Sequence, residues 1–231
     1  MIVTLVAIAL LGAFALLPLH AVSIGAPWLS LVVAFMLIPL IDALVGAPRA
    51  GAERAALPFV RWIPRAQLLF QTILLVEAAR LAATLPIADL FVFALAVGTV
   101  TGGLGITIAH ELGHRASRLD RLIARALLVS VCYGHFHVEH VRGHHVRVAT
   151  PEDPATAPRG MSVYRFFLRS LVGSFTHAWR LEAIRLQRRG QSAWHPANWV
   201  LTGSALSAAM LAIGGVLAGR KAVLLLALQS V

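Results

Sequence analysis

The stretch IADLFVFALAVGTVTGGLGITIAHELGH, residues 87–114, decides how the rest of the chain is read. Its first part, 87–109, carries one charge, Asp89. At about 1.5 Å per helical residue it is long enough to cross a hydrocarbon core about 30 Å thick. It then runs without a break into His110-Glu111-Leu112-Gly113-His114. A membrane helix therefore ends in two histidines at i and i+4, which share one helix face.

Working outward, further apolar stretches occupy 1–19, 27–46, 66–85 and 198–219, and another begins at 222–231. The expected fold is an all-α polytopic membrane protein forming a single domain, 1–231. It has about six transmembrane helices, the last incomplete, plus cytosolic and interfacial helices that carry the histidines. Composition agrees: 58% of the 231 residues are hydrophobic and 13% charged, where a soluble domain has about a quarter charged. Residues 1–19 lack a basic start and lead into another apolar stretch, so they read as a membrane helix and not as a cleaved leader. The lone Cys132 excludes an internal disulfide or a Cys-x-x-Cys iron site.

The net charge of +10 comes from nineteen Arg and one Lys against ten acids. These charges lie between apolar stretches, so they report membrane topology and not nucleic-acid binding. Segment 47–65 holds Arg49, Arg54, Arg61 and Arg65, and segment 110–197 holds thirteen Arg. The positive-inside rule places both in the cytosol, with Arg220 and Lys221 as a minor exception. In 162–190, Arg165, Arg169, Arg180, Arg185 and Arg188 alternate with Phe166, Phe167, Leu171, Phe175, Trp179 and Ile184. This predicts an amphipathic interfacial helix, capped by Ser162 and ended by Gly190. Glu77 and Arg80, at i and i+3 inside a membrane stretch, are expected to pair. The glycines at 98, 102, 103 and 105 allow close helix approach or leave a narrow channel toward His110.

A second histidine cluster, His140-Val141-Arg142-Gly143-His144-His145, follows the first. On an α-helix His140 and His144 share a face, and His145 points about a quarter turn away. Five imidazoles exceed one tetrahedral site and suit two ions. Imidazole alone leaves zinc, copper, iron and nickel open. Glu111, Glu139, Glu152 and Asp153 are candidates to accept the second ring N–H of ligand histidines. His20, His177 and His195 stand alone and are expected at interfaces or surfaces. His-Glu-x-x-His is also the motif of zinc metalloproteases, with Glu as general base, but that reading leaves His140, His144 and His145 without a role.

His110-Glu111-Leu112-Gly113-His114-Arg115, followed by the run from Glu139-His140-Val141-Arg142-Gly143-His144-His145 through Thr150-Pro151-Glu152-Asp153-Pro154-Ala155, resembles the bacterial alkane 1-monooxygenases. These belong to the membrane fatty acid desaturase and hydroxylase superfamily. Ile38-Pro39-Leu40-Ile41-Asp42 and Tyr133-Gly134-His135-Phe136 extend the likeness. The resemblance implies a non-haem di-iron hydroxylase of the inner membrane, multi-pass, with its active site facing the cytosol. It would oxidise the terminal methyl of a medium-chain alkane drawn from the bilayer, using oxygen and electrons from rubredoxin and its reductase. Xylene monooxygenases and fatty acid desaturases are near alternatives. By position, His110, His114, His140, His144 and His145 match iron ligands, with no catalytic residue beyond them. His135, Glu111, Glu139 and Asp153 fall where supporting partners are expected. Rubredoxins are acidic, so the Arg-rich segment is a plausible dock. The family's further Glu-His-Tyr-Gly segment and final His-His box do not occur here. The chain is therefore expected to be C-terminally incomplete and inactive alone.

Overall fold

The computed structural model describes residues 2–45 and 61–230. Among these every regular element is helical. The charged loop residues Arg49 and Arg54, and the ends of the expected stretches at Met1, Gly46 and Val231, lie outside the described residues. The chain packs as two compact units, 1–112 with 211–231, and 113–210.

The first unit opens with α1 (Ile2–Ala15) and α2 (Leu17–Ser23), which meet at 47°. Pro18 occupies the first turn of α2, where its missing N–H costs nothing. Next come α3 (Leu29–Val32), a π-helical turn (Val33–Leu37) and α4 (Ile38–Val45), then α5 (Trp62–Ala82) and α6 (Ile87–Gly98). A second π segment (Thr99–Ile106) and α7 (Thr107–Gly113) continue α6, so that 87–113 forms one long apolar helix, as expected. The core is built from residues three or four apart: Leu74, Ala78 and Ala82 on α5, with Leu90, Phe93 and Val97 on α6. Alanines at these positions let the helix backbones approach closely.

In the second unit α8 (Arg118–Ser130), α9 (Phe136–Glu139), a third π segment (His140–His144), α10 (His145–Arg147) and α11 (Val163–Gln187) surround the histidines. Helix α12 (Trp199–Ala218) begins in this unit and ends in the first. Gly219, at φ +81°, breaks the chain between α12 and α13 (Arg220–Leu228), a conformation that costs glycine little. Within the first unit Leu225 and Leu226 of α13 join the core. Lys221 Nζ donates to the carbonyl of Leu85, 2.6 Å away, just beyond the end of α5. That bond gives this outlying positive charge a structural reason to be there.

Two helices, Ile87–Gly113 and Trp199–Ala218, are long and apolar enough to cross a membrane, and the bent pair α1–α2 makes a third if taken as one span. Not all six expected spans are recovered. Helix α5 has the length but carries Arg65, Gln67, Gln71, Glu77 and Arg80. Leu29–Val45 is apolar but shorter than a full span. The last stretch forms a nine-residue helix. Glu77 and Arg80 pair as expected, at 2.9 Å, on a face where they are 42% and 70% accessible.

The glycine run divides by position. A Cβ on Gly98 would stand 3.0 Å from the Gln229 carbonyl oxygen, and one on Gly105 would strike the Gln71 side chain. Gly102 and Gly103 face open space. Gly103 lines an apolar cleft of 390 Å³ with Phe14, Phe35, Ile38 and Leu104. Gly98→Val is therefore expected to lower the thermal unfolding midpoint in detergent, at a cost of about 1–3 kcal/mol from overpacking. Gly102→Ala is expected to hold or raise it, by up to about 1 kcal/mol of helix propensity.

Candidate metal centre

The third π segment decides which histidines meet. A π turn closes i to i+5 hydrogen bonds and is wider than an α turn. Residues five apart are then brought together, so His140 meets His145 edge-on while still stacking on His144. The Nε2 atoms of His140 and His145 are 2.9 Å apart. His114 Nε2 lies 3.1 Å from the same His140 Nε2, and its ring stacks on His145 with centroids 4.8 Å apart. The ligand atoms of His114, His140 and His145 all fall within 4.8 Å of one another. The expectation that His140 and His144 share a face holds, their rings stacking with centroids 5.4 Å apart. The expectation that His145 turns aside is corrected, because it assumed 3.6 residues per turn where the backbone is wider.

His144 turns instead to Asp153, with Nδ1 2.9 Å from Oδ2. Asp153 is fully buried. Burial alone would raise its pKa. The Thr156 hydroxyl, the Ala155 N–H and His144 outweigh that and hold it below the usual carboxylate value. An ionised carboxylate only accepts, so Nδ1 of His144 donates to it, and in the neutral tautomer that this selects, Nε2 keeps its lone pair for a metal ion. This is how ligating histidines are commonly oriented.

Glu139 is also buried and lies 3.1 Å from Nδ1 of His177 on α11. His177 is not the isolated residue expected, since it pairs with Glu139. The pair passes directly over Gly143, where a Cβ would stand 2.6 Å from Glu139 Oε1 and 2.9 Å from the His177 ring. Helix α11 begins at the Ser162 cap as expected, and Gly190 sits at φ +68° just past its end. Its buried line is Ser174, Ala178, Glu182 and Leu186, at intervals of four. Phe167, Leu171, Phe175 and Ile184 remain exposed.

The remaining residues fall into distinct environments. Glu111 is exposed, as are His20, His195 and Glu152. His110 is half-buried in α7, four residues before His114. His135 is buried edge-on to Tyr133 and Phe175, and its Nε2 has no hydrogen-bond partner. Burial pulls its pKa down to about 4. His137 is likewise held at about 4, by burial and then by Arg125, Arg142 and Arg121.

The donors fit a metal ion. His140 Nε2 confronts two other ring nitrogens, and a proton bridges only two of the three. A cation accepts all three lone pairs. Two imidazoles about 2.1 Å from an ion and at right angles stand about 3 Å apart, matching the 3.1 and 2.9 Å separations.

Sequence reasoning missed Glu182. Its Oε1 accepts from Arg142 at 2.8 Å and Arg185 at 2.7 Å, and its Oε2 accepts from Arg185 and from the Trp199 backbone N–H, each at 2.8 Å. The available signal was that Glu182 is the only acid after Asp153 in an Arg-rich stretch.

A membrane-associated helical chain with converging imidazoles defines a membrane metalloprotein. Residues 85–229 match the family model for fatty acid desaturases, and the chain belongs to that family. It is similar to an alkane 1-monooxygenase of Ectopseudomonas oleovorans, at 41% identity over 67% of this chain and 39% of the relative. It is 48% identical to alkane 1-monooxygenase 2 of Pseudomonas aeruginosa over 51% of this chain and 31% of the relative. A xylene/toluene monooxygenase hydroxylase component of Pseudomonas putida is 36% identical over 45% of this chain and 28% of the relative. The chain thus spans well under half the length of these relatives.

Two outcomes check this geometry. His177→Ala strands the buried Glu139 carboxylate and is expected to destabilise the protein by about 1–3 kcal/mol, read by thermal unfolding. Acidification is expected to destabilise as well. Between pH 6.5 and about 4, His135 binds a proton in the unfolded chain and not in the folded one, so stability falls with pH at up to about 1.4 kcal/mol per unit. His135→Phe should flatten that slope in unfolding curves measured across the window.

Proposed function

We propose that this chain carries the iron centre of an oxygen-dependent membrane hydroxylase acting on the terminal methyl of medium-chain alkanes. The observation that carries the reading is the convergence of His114, His140 and His145 in a chain similar to proteins named alkane 1-monooxygenase. His110 joins them, because it stands one turn before His114 on the helix that leads into the cluster. His144 is the fifth ligand, with Nε2 available. Five imidazoles serve two iron ions, and His144 and His145, turned apart, serve different ones.

Bound iron would supply the oxygen activation that attack on an unactivated C–H bond requires. The chain's residues do the rest. Asp153 holds the His144 tautomer and ring. Glu139 and His177 clamp the wide turn under His140 and His145. His135 and His137 stay neutral near pH 7, adding no positive charge beside a cation. The apolar cleft at Gly103, within the first unit, offers room for an alkyl chain. Rubredoxin, recharged by its reductase, delivers electrons at the Arg-rich cytosolic segment 110–197, whose charge attracts an acidic partner. Supporting this reading, the membrane helices and the relatives' names point to a membrane enzyme. Its site is the inner membrane, with the chain crossing several times.

Metal analysis tests the ligand set. After anaerobic loading with ferrous iron, His114→Ala, His140→Ala and His145→Ala should each lose bound iron, and His195→Ala should keep it. Asp153→Ala is expected to weaken iron binding about 10–100-fold. Membranes from cells expressing the gene should convert octane to 1-octanol with reduced rubredoxin. Zinc retention with peptide cleavage and no alcohol would replace this reading with a metalloprotease.

A further inference from the structure

Beside the histidines, the second unit contains a separate cavity of 420 Å³ whose wall is unusually basic. Arg121 and Arg125 of α8, Arg142 and Arg185 line it, together with His137 and Trp199. Four guanidinium groups face one carboxylate, that of Glu182. Both oxygens of Glu182 are already engaged, by Arg142, Arg185 and the Trp199 N–H. It balances one charge of the four.

Arg125 makes the imbalance specific. Its guanidinium carbon lies 4.5 Å over the Trp199 ring, which fixes its plane. Its Nε is buried without a hydrogen-bond partner. Burial, then Arg121 and Arg142, pull its pKa below the ordinary guanidinium value. A cation crowded by other cations, with a buried donor unused, is a costly arrangement that an anion in the cavity would relieve. Arg121 leaves capacity too: the contacts of its Nη1 are the carbonyls of Arg115 and Ala116, which are neutral.

We propose that this cavity is a phosphate-binding site, separate from the metal centre. Phosphate is the class that fits: planar guanidinium forks match its oxygens in bidentate pairs, and it brings the negative charge that Glu182 does not supply. The group can come from a lipid headgroup or from free phosphate. Trp199 and Thr202, in the first turn of the candidate span Trp199–Ala218, form part of the wall. Tryptophan at the head of a span sits at headgroup level. That places a lipid phosphate within reach.

The test uses the detergent-purified chain and its thermal unfolding midpoint, titrated with short-chain phosphatidylglycerol, with the matching diacylglycerol that lacks phosphate, and with inorganic phosphate. Stabilisation by phosphatidylglycerol alone supports a headgroup site. Equal stabilisation by inorganic phosphate supports a site for the free ion. Arg125→Gln should raise the half-saturating concentration about tenfold, the scale of one charged hydrogen-bonding group. Arg188→Gln, the same charge change at an exposed position, should leave it unchanged. If Arg125→Gln does not fold, Arg125→Lys keeps the charge, loses the fork and should weaken binding in the same direction. The proposal is overturned if no phosphate-bearing probe shifts the midpoint or if diacylglycerol shifts it equally. It is overturned equally if Arg188→Gln weakens binding as much as Arg125→Gln, or if the cavity takes an acidic protein and no phosphate probe competes.

Discussion

Two imidazole nitrogens held about 3 Å from a third repel it unless something positive stands among them. The second unit is arranged around that constraint. The backbone opens into a π turn at His140–His144 so that His140 and His145 align. Gly143 has no side chain because the buried Glu139–His177 pair occupies its Cβ position. Asp153 is buried and kept ionised, with the Ala155 N–H on Oδ1 and the Thr156 hydroxyl and His144 on Oδ2. Each of these features is costly alone: a weaker helical turn, two buried carboxylates, a glycine in a helix. Together they fix imidazole rings whose lone pairs converge, which is the preorganisation a metal site requires.

A second electrostatic economy operates beside the first. Arginines are concentrated where α8, α11 and the start of α12 meet, and the single carboxylate of Glu182 ties them to the backbone N–H of Trp199. One buried acid thus anchors α11 to the head of a candidate membrane span. Arg125 lies over the same Trp199 ring. The mixture of charge and indole is what an interface between lipid and water favours. The exposed apolar line of α11, including Phe167, Leu171 and Phe175, suits the same position.

Much was legible before any coordinates. The helical class, the long apolar helix ending in His110 and His114, the Ser162 cap, the Glu77–Arg80 pair and the family itself follow from local rules: hydropathy, fixed spacing, capping chemistry, and a motif long enough to be specific. These depend on residues near one another in sequence, so periodicity carries them. Other expectations reached further than that, and some needed revision. Of the six spans, two or three stand out by length and composition among the described residues. The placing of His145 away from His140 presumed an ideal α-helix, and the two meet.

The sequence by itself determined that this is a helical membrane protein of the fatty acid desaturase family with clustered histidines, because hydrophobic runs and motif spacing are properties of the chain. Only the tertiary structure decided which imidazoles meet. That choice rests on a π turn, which no local periodicity announces. It also rests on partners far away in the chain, His177 for Glu139 and Arg142 for Glu182, whose pairing exists only once α11 has packed against the histidine segment.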